Sequence, residues 1–252
     1  MQVVLVQEQS SLDPADNRAR LDAVVPDGAD LVVLPEAFAR DFGEPGSDLA
    51  PYAEPLAGPF ATEVERVAAA RGTTVVAGMF EQAAPPEGTP YNTVVVRGGA
   101  RLDYRKIHLY DSFGYQESKV LAPGPIEPAT FELGGTTVGL MTCYDLRFPE
   151  LARRLVDAGA EVILVPAAWV AGPRKVEHWT TLLRARAIEN TAYVVGVGQP
   201  APRYSGHSTV IGPLGDVLVE GGDDAALLTV DLDVAAVAEA RRTNPSLANR
   251  RL

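Results

Sequence analysis

The chain is poor in several kinds of residue, and each scarcity closes off a class of function. It has one cysteine, Cys143, in 252 residues. No intramolecular disulfide and no cysteine-rich metal site can form. Three histidines, His108, His178 and His207, lie far apart, without the spacing of a histidine metal motif. Positive charge is not in excess: 22 Lys and Arg stand against 33 Asp and Glu, a net charge of −11. A basic face for nucleic acid or anionic lipid is therefore not expected. No apolar run approaches the roughly 18 residues of a membrane-spanning helix. The opening residues, Met1 to Gln7, lack a basic region and a small-residue cleavage site, and read as a strand rather than a signal peptide. A free thiol fits a reducing compartment, so a cytoplasmic location is expected. What remains is ordinary globular composition, 46% hydrophobic and 22% charged.

Apolar runs alternate with helical patterns along the chain. Val3 to Gln7 and Leu31 to Leu34 read as buried strands, with a helix start at Asp13-Pro14 between them. Thr62 to Arg71 reads as a helix stopped by Gly72. Strand patterns follow at Thr73 to Phe80 and Tyr91 to Val96, across a Pro-rich turn over Ala83 to Pro90. Gly98-Gly99 and Gly134-Gly135 mark tight hairpins. Lys175 to Asn190 is the strongest helical pattern, with Val176, Trp179, Leu182, Leu183 and Ile188 as its apolar stripe. Hairpin connections argue against a purely parallel sheet, and a mixed pair of sheets with helices outside fits better. With no linker and no repeat, one domain over residues 1–252 is expected. The polar tail from about Arg241 to Leu252 has to dock on something to be ordered.

The stretch around Cys143 organises the rest. Val138 to Met141 is a short apolar strand pattern, and Pro149 opens a helix that continues through Leu151 and Leu155. Cys143 therefore falls on a sharp strand-to-helix turn, the address of a nucleophile elbow. Backbone N–H groups at such a turn are expected to favour thiolate and to hold an oxyanion. A lone cysteine is otherwise most often a small buried hydrophobe.

Two more charged residues share this address. Glu36 follows Leu34-Pro35 at the end of a strand pattern, and Lys106 comes just after the strand pattern Arg101 to Tyr104. Taken singly, each reads as an ordinary exposed charge. Taken together, a carboxylate, an ammonium and a thiol at three strand ends are the parts of a cysteine-based acyl-transfer site. Glu36 can act as base, Lys106 as oxyanion stabiliser and Cys143 as nucleophile, with the Tyr144 N–H as a second oxyanion donor.

The residues Pro35-Glu36, Arg105-Lys106-Ile107-His108 and Cys143-Tyr144-Asp145-Leu146-Arg147-Phe148-Pro149-Glu150 resemble the nitrilase superfamily of carbon–nitrogen hydrolases. The resemblance covers Val4 to about Pro245. It implies an α/β (α+β) fold, a four-layer α-β-β-α sandwich with two mixed sheets, and a Glu-Lys-Cys triad at Glu36, Lys106 and Cys143. It also implies a fourth residue, Glu117, in Gln116-Glu117-Ser118. Within the superfamily, Lys106 to Asp111, Phe113 to Ser118 and Gly206-His207-Ser208-Thr209 look most like the omega-amidase and deaminated-glutathione amidase branch. The function implied is cleavage of the terminal amide of a small carboxylate-bearing substrate through a thioester, without metal or organic cofactor.

Nitrile and N-carbamoyl hydrolysis use the same triad, and a catalytically silent metabolite-binding protein is the non-enzyme alternative. A papain-like protease would need His178 or His207 as base. Trp169 and Phe38, with Arg40, are candidates for the pocket wall, Trp169 being equally readable as a core aromatic. The resemblance suggests Asp145 and Arg147 as scaffold ion-pair partners, and a homodimer formed through a helix face and the C-terminal segment.

Overall fold

A computed structural model describes residues 1–84 and 88–251. The Pro-rich turn expected over Ala83 to Pro90 falls partly outside the described residues, at 85–87, as does the last residue of the tail. In chain order the elements are β1 (Gln2–Gln7), α1 (Pro14–Val24), β2 (Leu31–Val33), α2 (Pro59–Arg71), β3 (Thr74–Glu81), β4 (Tyr91–Arg97) and β5 (Leu102–Arg105). A short hairpin follows, β6 (Asp111–Ser112) and β7 (Tyr115–Gln116). Then come β8 (Ala129–Leu133), β9 (Thr136–Leu140), α3 (Pro149–Asp157), β10 (Val162–Ala167), α4 (Lys175–Asn190) and β11 (Tyr193–Gly198). The chain closes with β12 (Thr209–Ile211), β13 (Val217–Glu220), β14 (Ala226–Asp231) and α5 (Ala235–Thr243).

Two six-stranded sheets form, in the orders β14-β1-β2-β3-β4-β5 and β13-β12-β11-β10-β9-β8. Both are mixed: β1, β2 and β3 run parallel, while β3-β4-β5 is an antiparallel meander. Period-two alternation assigns the faces. Val3 and Leu5 of β1 turn inward, meeting Val138, Leu140 and Leu164 of the other sheet. Val4 and Val6 turn outward onto Leu21 of α1 and Val64 and Val67 of α2. Helices α3 and α4 cover the second sheet, which gives the four layers α-β-β-α.

The helices obey their end signals. Asp13 caps α1 by accepting from Ala15 N at 2.8 Å, and Gly72 ends α2 with φ 62°, as its left-handed position requires. Helix α4 runs over the expected residues, but its buried face is rotated from the expected stripe. Trp179, Leu183, Arg186, Ala187 and Asn190 are buried, whereas Ile188 is exposed. Gly196 on β11 makes room for this face, since a Cβ there would press into Leu183 and Trp179. Burying each of these two apolar side chains is worth roughly 1.5–3 kcal/mol.

The described part of the tail packs on its own chain. Arg241 donates to Ala160 O at 3.0 Å, Leu247 lies against the inner core, and Arg250 pairs with Asp157 of α3. Among the described residues no helix is long and apolar enough to cross a membrane.

Candidate active site

Strands β2 and β5 run in the same direction, so Glu36 and Lys106 leave the first sheet at the same end. Strand β9 of the facing sheet delivers Cys143 to that end as well. The three expected residues line one cavity of about 780 Å³, together with Glu117, Tyr144 and Trp169.

Glu36 is placed by backbone geometry. Leu34 N still bonds to Val76 O at 2.8 Å, and Pro35 then releases the chain from the sheet. Ala37 takes φ 57°, a left-handed conformation, and Ala39 N returns to Gly78 O at 3.0 Å. Position 78 has to be glycine for this turn to lie on β3, because a Cβ would strike Ala37 N and Glu36 Cα. Three donors hold the buried carboxylate. Lys106 Nζ and Asn92 Nδ2 reach Oε1 at 2.9 and 2.7 Å, and Ala168 N reaches Oε2 at 2.7 Å.

Lys106 is buried between two carboxylates. Its Nζ donates to Glu36 Oε1 and Glu117 Oε2, both at 2.9 Å. Burial pulls the ammonium pKa down, but Glu117 and Glu36 outweigh it and hold the pKa well above the ordinary lysine value. Glu117 begins a single 3-10 turn and accepts from Tyr110 N at 2.6 Å and from Asn92 Nδ2 at 3.2 Å.

Cys143 opens a 3-10 turn after β9 with φ 46°, a conformation that L-residues seldom adopt. The turn is tied down by Asp145, whose Oδ2 accepts from Thr142 N at 2.9 Å and from Tyr104 OH at 2.7 Å. Its Oδ1 accepts from His108 N at 2.9 Å and contacts His108 Nδ1 at 2.7 Å. Tyr144 follows directly, where the first N–H groups of a helical turn have no intrahelical acceptor. The expectation that the turn favours thiolate is corrected. Burial and the neighbouring Glu36 push the Cys143 thiol well above its ordinary pKa, against the opposing pull of Lys106. Burial and Glu36 thus favour the neutral thiol.

Other expectations are corrected too. Phe38 is fully buried between the first sheet and its helices, and does not line the cavity; the left-handed Ala37 turns it inward. Phe42 lines the cavity instead. Arg40 is buried as well, donating to Asp41 O at 2.7 Å and Phe42 O at 3.1 Å. Asp145 and Arg147 do not pair: Asp145 is the hub just described, while Arg147 lines the cavity with its guanidinium 4.8 Å from the Trp169 ring centre. Trp169 is both buried and part of the wall, its Nε1 donating to Lys175 O at 2.9 Å. His178 and His207 are not among the wall residues, and His207 lies between Glu220 and Asp223, which removes the papain-like alternative.

Sequence reasoning passed over Asn92 and Gln199. Each is a buried amide in or just after an otherwise apolar strand, and Gln199 Nε2 donates to Glu36 O at 3.0 Å. A lone amide in an apolar run was the available signal.

A carboxylate, an ammonium and a thiol thus converge on one cavity, and comparison with known proteins identifies the family of the chain. A family model described as carbon-nitrogen hydrolase matches residues 3–242. A deaminated glutathione amidase of Escherichia coli O157:H7 is 39% identical over 225 residues, covering 88% of this chain and 84% of the relative. An omega-amidase of Mus musculus is 33% identical over 268 residues, covering 99% and 94%. A crystal structure of a CN-hydrolase superfamily protein from Xanthomonas campestris, with an arsenic adduct in its active site, superposes with a TM-score of 0.88 at 30% identity, covering 100% and 97%. The chain belongs to the carbon–nitrogen hydrolase family, within the nitrilase superfamily.

Proposed function

We propose that this hydrolase cleaves the terminal amide of a small carboxylate-bearing substrate and releases ammonia. The observation that carries this reading is the convergence of Glu36, Lys106 and Cys143 on a single cavity, with Lys106 2.9 Å from Glu36. Relatives named deaminated glutathione amidase and omega-amidase support the choice of an amide.

In the proposed reaction the resting thiol gives its proton to Glu36 as sulfur attacks the carbonyl carbon. The carbonyl oxygen becomes an oxyanion, stabilised by the Lys106 ammonium and the Tyr144 N–H. Each such donor is typically worth about 3 kcal/mol of transition-state stabilisation. Glu36 then passes the proton to the departing nitrogen, and the C–N bond breaks to give ammonia and a Cys143 thioester. Water, losing a proton to Glu36, attacks the thioester and restores the thiol. Glu117 keeps Lys106 charged and in place. The free thiol is compatible with a reducing compartment such as the cytoplasm.

Ammonia release from succinamate, from a nitrile and from an N-carbamoyl acid tests this reading. Succinamate should be the best substrate, and Cys143→Ala should lose turnover. Faster turnover of the nitrile or the carbamoyl compound would overturn the amide assignment.

We also propose a homodimer. Exposed Ile188 of α4 sits over Gly215, beside exposed Leu214, Val217 and Leu218 at the β12–β13 hairpin, an apolar surface at the edge of the second sheet. Light scattering at twice the monomer mass is the expected result; a monomer at micromolar concentration contradicts it.

A further inference from the structure

Gln199 follows directly on β11, an apolar strand, and is fully buried. A buried amide needs partners for both its ends. The Ser10 N–H can only donate and the Glu36 carbonyl can only accept, so one orientation of the amide satisfies both. Oε1 accepts from Ser10 N at 2.9 Å, and Nε2 donates to Glu36 O at 3.0 Å. Gln199 N donates in turn to Ala167 O at 3.2 Å, at the end of the neighbouring strand β10. The next residue on that strand end, Ala168, donates its N–H to Glu36 Oε2 at 2.7 Å. Two adjacent strand ends of the second sheet therefore hold Glu36 at two points, the main chain and the carboxylate. Glu36 itself leaves the first sheet, after β2.

The segment Gly206-His207-Ser208, which the sequence singles out and the reaction does not use, braces this grip. Gly206 N donates to Gln199 O at 3.0 Å, and Ser208 Oγ accepts from Gly198 N at 2.9 Å. The brace lies flat on the strand end because residue 198 is glycine: a Cβ there would meet Gly206 O at 2.7 Å. The brace is tied back to the first sheet as well. Ser208 N donates to Oε1 of Gln7, the last residue of β1, at 2.8 Å. Gln199 is not among the cavity-lining residues, so it acts on the reaction only through what it holds.

We infer that Gln199 is a positioning residue for the base: from the end of β11 it fixes the main chain of Glu36 relative to Cys143, which the same sheet carries. The base and the nucleophile come from different sheets, and proton transfer between them requires hydrogen-bond reach. Ala168 and Gln199 refer the base to the sheet that carries the nucleophile. The inference rests on the assignment of Glu36 as base in the reading above.

The test begins with Gln199→Met, a side chain of similar length that makes neither hydrogen bond. Its kcat for succinamate should fall about tenfold or more, the effect of a small misplacement of a catalytic group, with KM within about twofold of wild type. Single-turnover acylation by para-nitrophenyl acetate, with enzyme in excess, reads the attack of Cys143 on a substrate whose leaving group needs no proton. Gln199→Met should slow this step in the wild-type background. In a Glu36→Gln background the same substitution should change it by less than about twofold, because a residue that acts only through Glu36 has nothing left to position. An equal loss in both backgrounds makes Gln199 a general support of the fold and overturns the inference. Wild-type kcat, or a loss mainly in KM, also overturns it. Gln199→Asn keeps an amide but is one methylene short of Glu36 O, and it carries the same prediction where Gln199→Met does not fold. Full turnover of succinamate by Glu36→Gln removes the base assignment itself, whereas an inactive Glu36→Gln beside a fully active Gln199→Met overturns this inference alone.

Discussion

Asp145 Oδ1 accepts the backbone N–H of His108 at 2.9 Å and lies 2.7 Å from the ring Nδ1 of the same residue. This one carboxylate fastens the segment carrying Lys106 to the turn carrying Cys143. The two groups come from different sheets, and this carboxylate ties their segments together directly.

Asp145→Ala should therefore cost both stability and activity. It leaves the Tyr104 hydroxyl, Thr142 N–H and His108 N–H without their acceptor. Each buried group left unpaired costs about 1–3 kcal/mol. Urea unfolding should show a lowered midpoint, and ammonia release should fall even where the protein remains folded. A variant with wild-type stability would contradict this role.

The reactivity of Cys143 should depend on its neighbours in opposite directions. Its pKa is held well above the ordinary thiol value, so the thiolate fraction is small at neutral pH and grows as pH rises. Alkylation by iodoacetamide should be slow near neutrality and accelerate without a plateau through that range. Glu36→Gln removes a negative neighbour, lowers the thiol pKa and should speed alkylation at pH 7 while stopping turnover. Lys106→Met removes the stabilising cation and should slow it. Equal alkylation rates in all three proteins would refute this electrostatic picture.

Lys106→Met should also destabilise the fold. It leaves the buried Glu36 and Glu117 carboxylates facing each other without their shared cation. Breaking a buried pair in this way costs about 3–5 kcal/mol. Calorimetric unfolding should show the loss near neutral pH.

Asn92 is predicted to position the two carboxylates rather than to touch substrate. Its Nδ2 lies 2.7 Å from Glu36 Oε1 and 3.2 Å from Glu117 Oε1. Asn92→Ala should lower kcat by about 10²-fold, the scale of a small misplacement of a catalytic group, with little change in KM. A variant affected mainly in KM would place Asn92 in the substrate site instead.

The parts of the site that were legible in the sequence were those fixed by local pattern. Strand-end punctuation at Pro35, Arg105 and Thr142 located Glu36, Lys106 and Cys143, since an apolar run that stops abruptly marks where a side chain leaves the sheet. Helical periodicity located α4 at the expected residues. What local pattern does not carry is the partner of a polar group. Arg186 and Asn190 are buried on α4 because Arg186 bonds Leu146 O at 3.1 and 2.7 Å and Asn190 bonds Arg186 O at 2.9 Å. Their burial rotates the face that apolar periodicity predicted and leaves Ile188 outside. Phe38, expected at the pocket wall, packs in the outer core after a turn in which Ala37 takes a left-handed φ. In place of the expected pairing with Arg147, Asp145 bonds Tyr104 on β5 and His108 in the segment after it. Tertiary hydrogen bonds decided the Arg186 and Asp145 cases, and backbone conformation decided that of Phe38.

The central claim is a covalent acyl group on Cys143, and rapid-quench intact-mass spectrometry tests it most directly. Wild-type protein mixed with succinamate should show a transient mass increase of one succinyl group, mapped to the Cys143 peptide and absent from Cys143→Ala. Continued ammonia release by Cys143→Ala, or wild-type turnover with no adduct at any quench time and none trapped by hydroxylamine, would contradict the account.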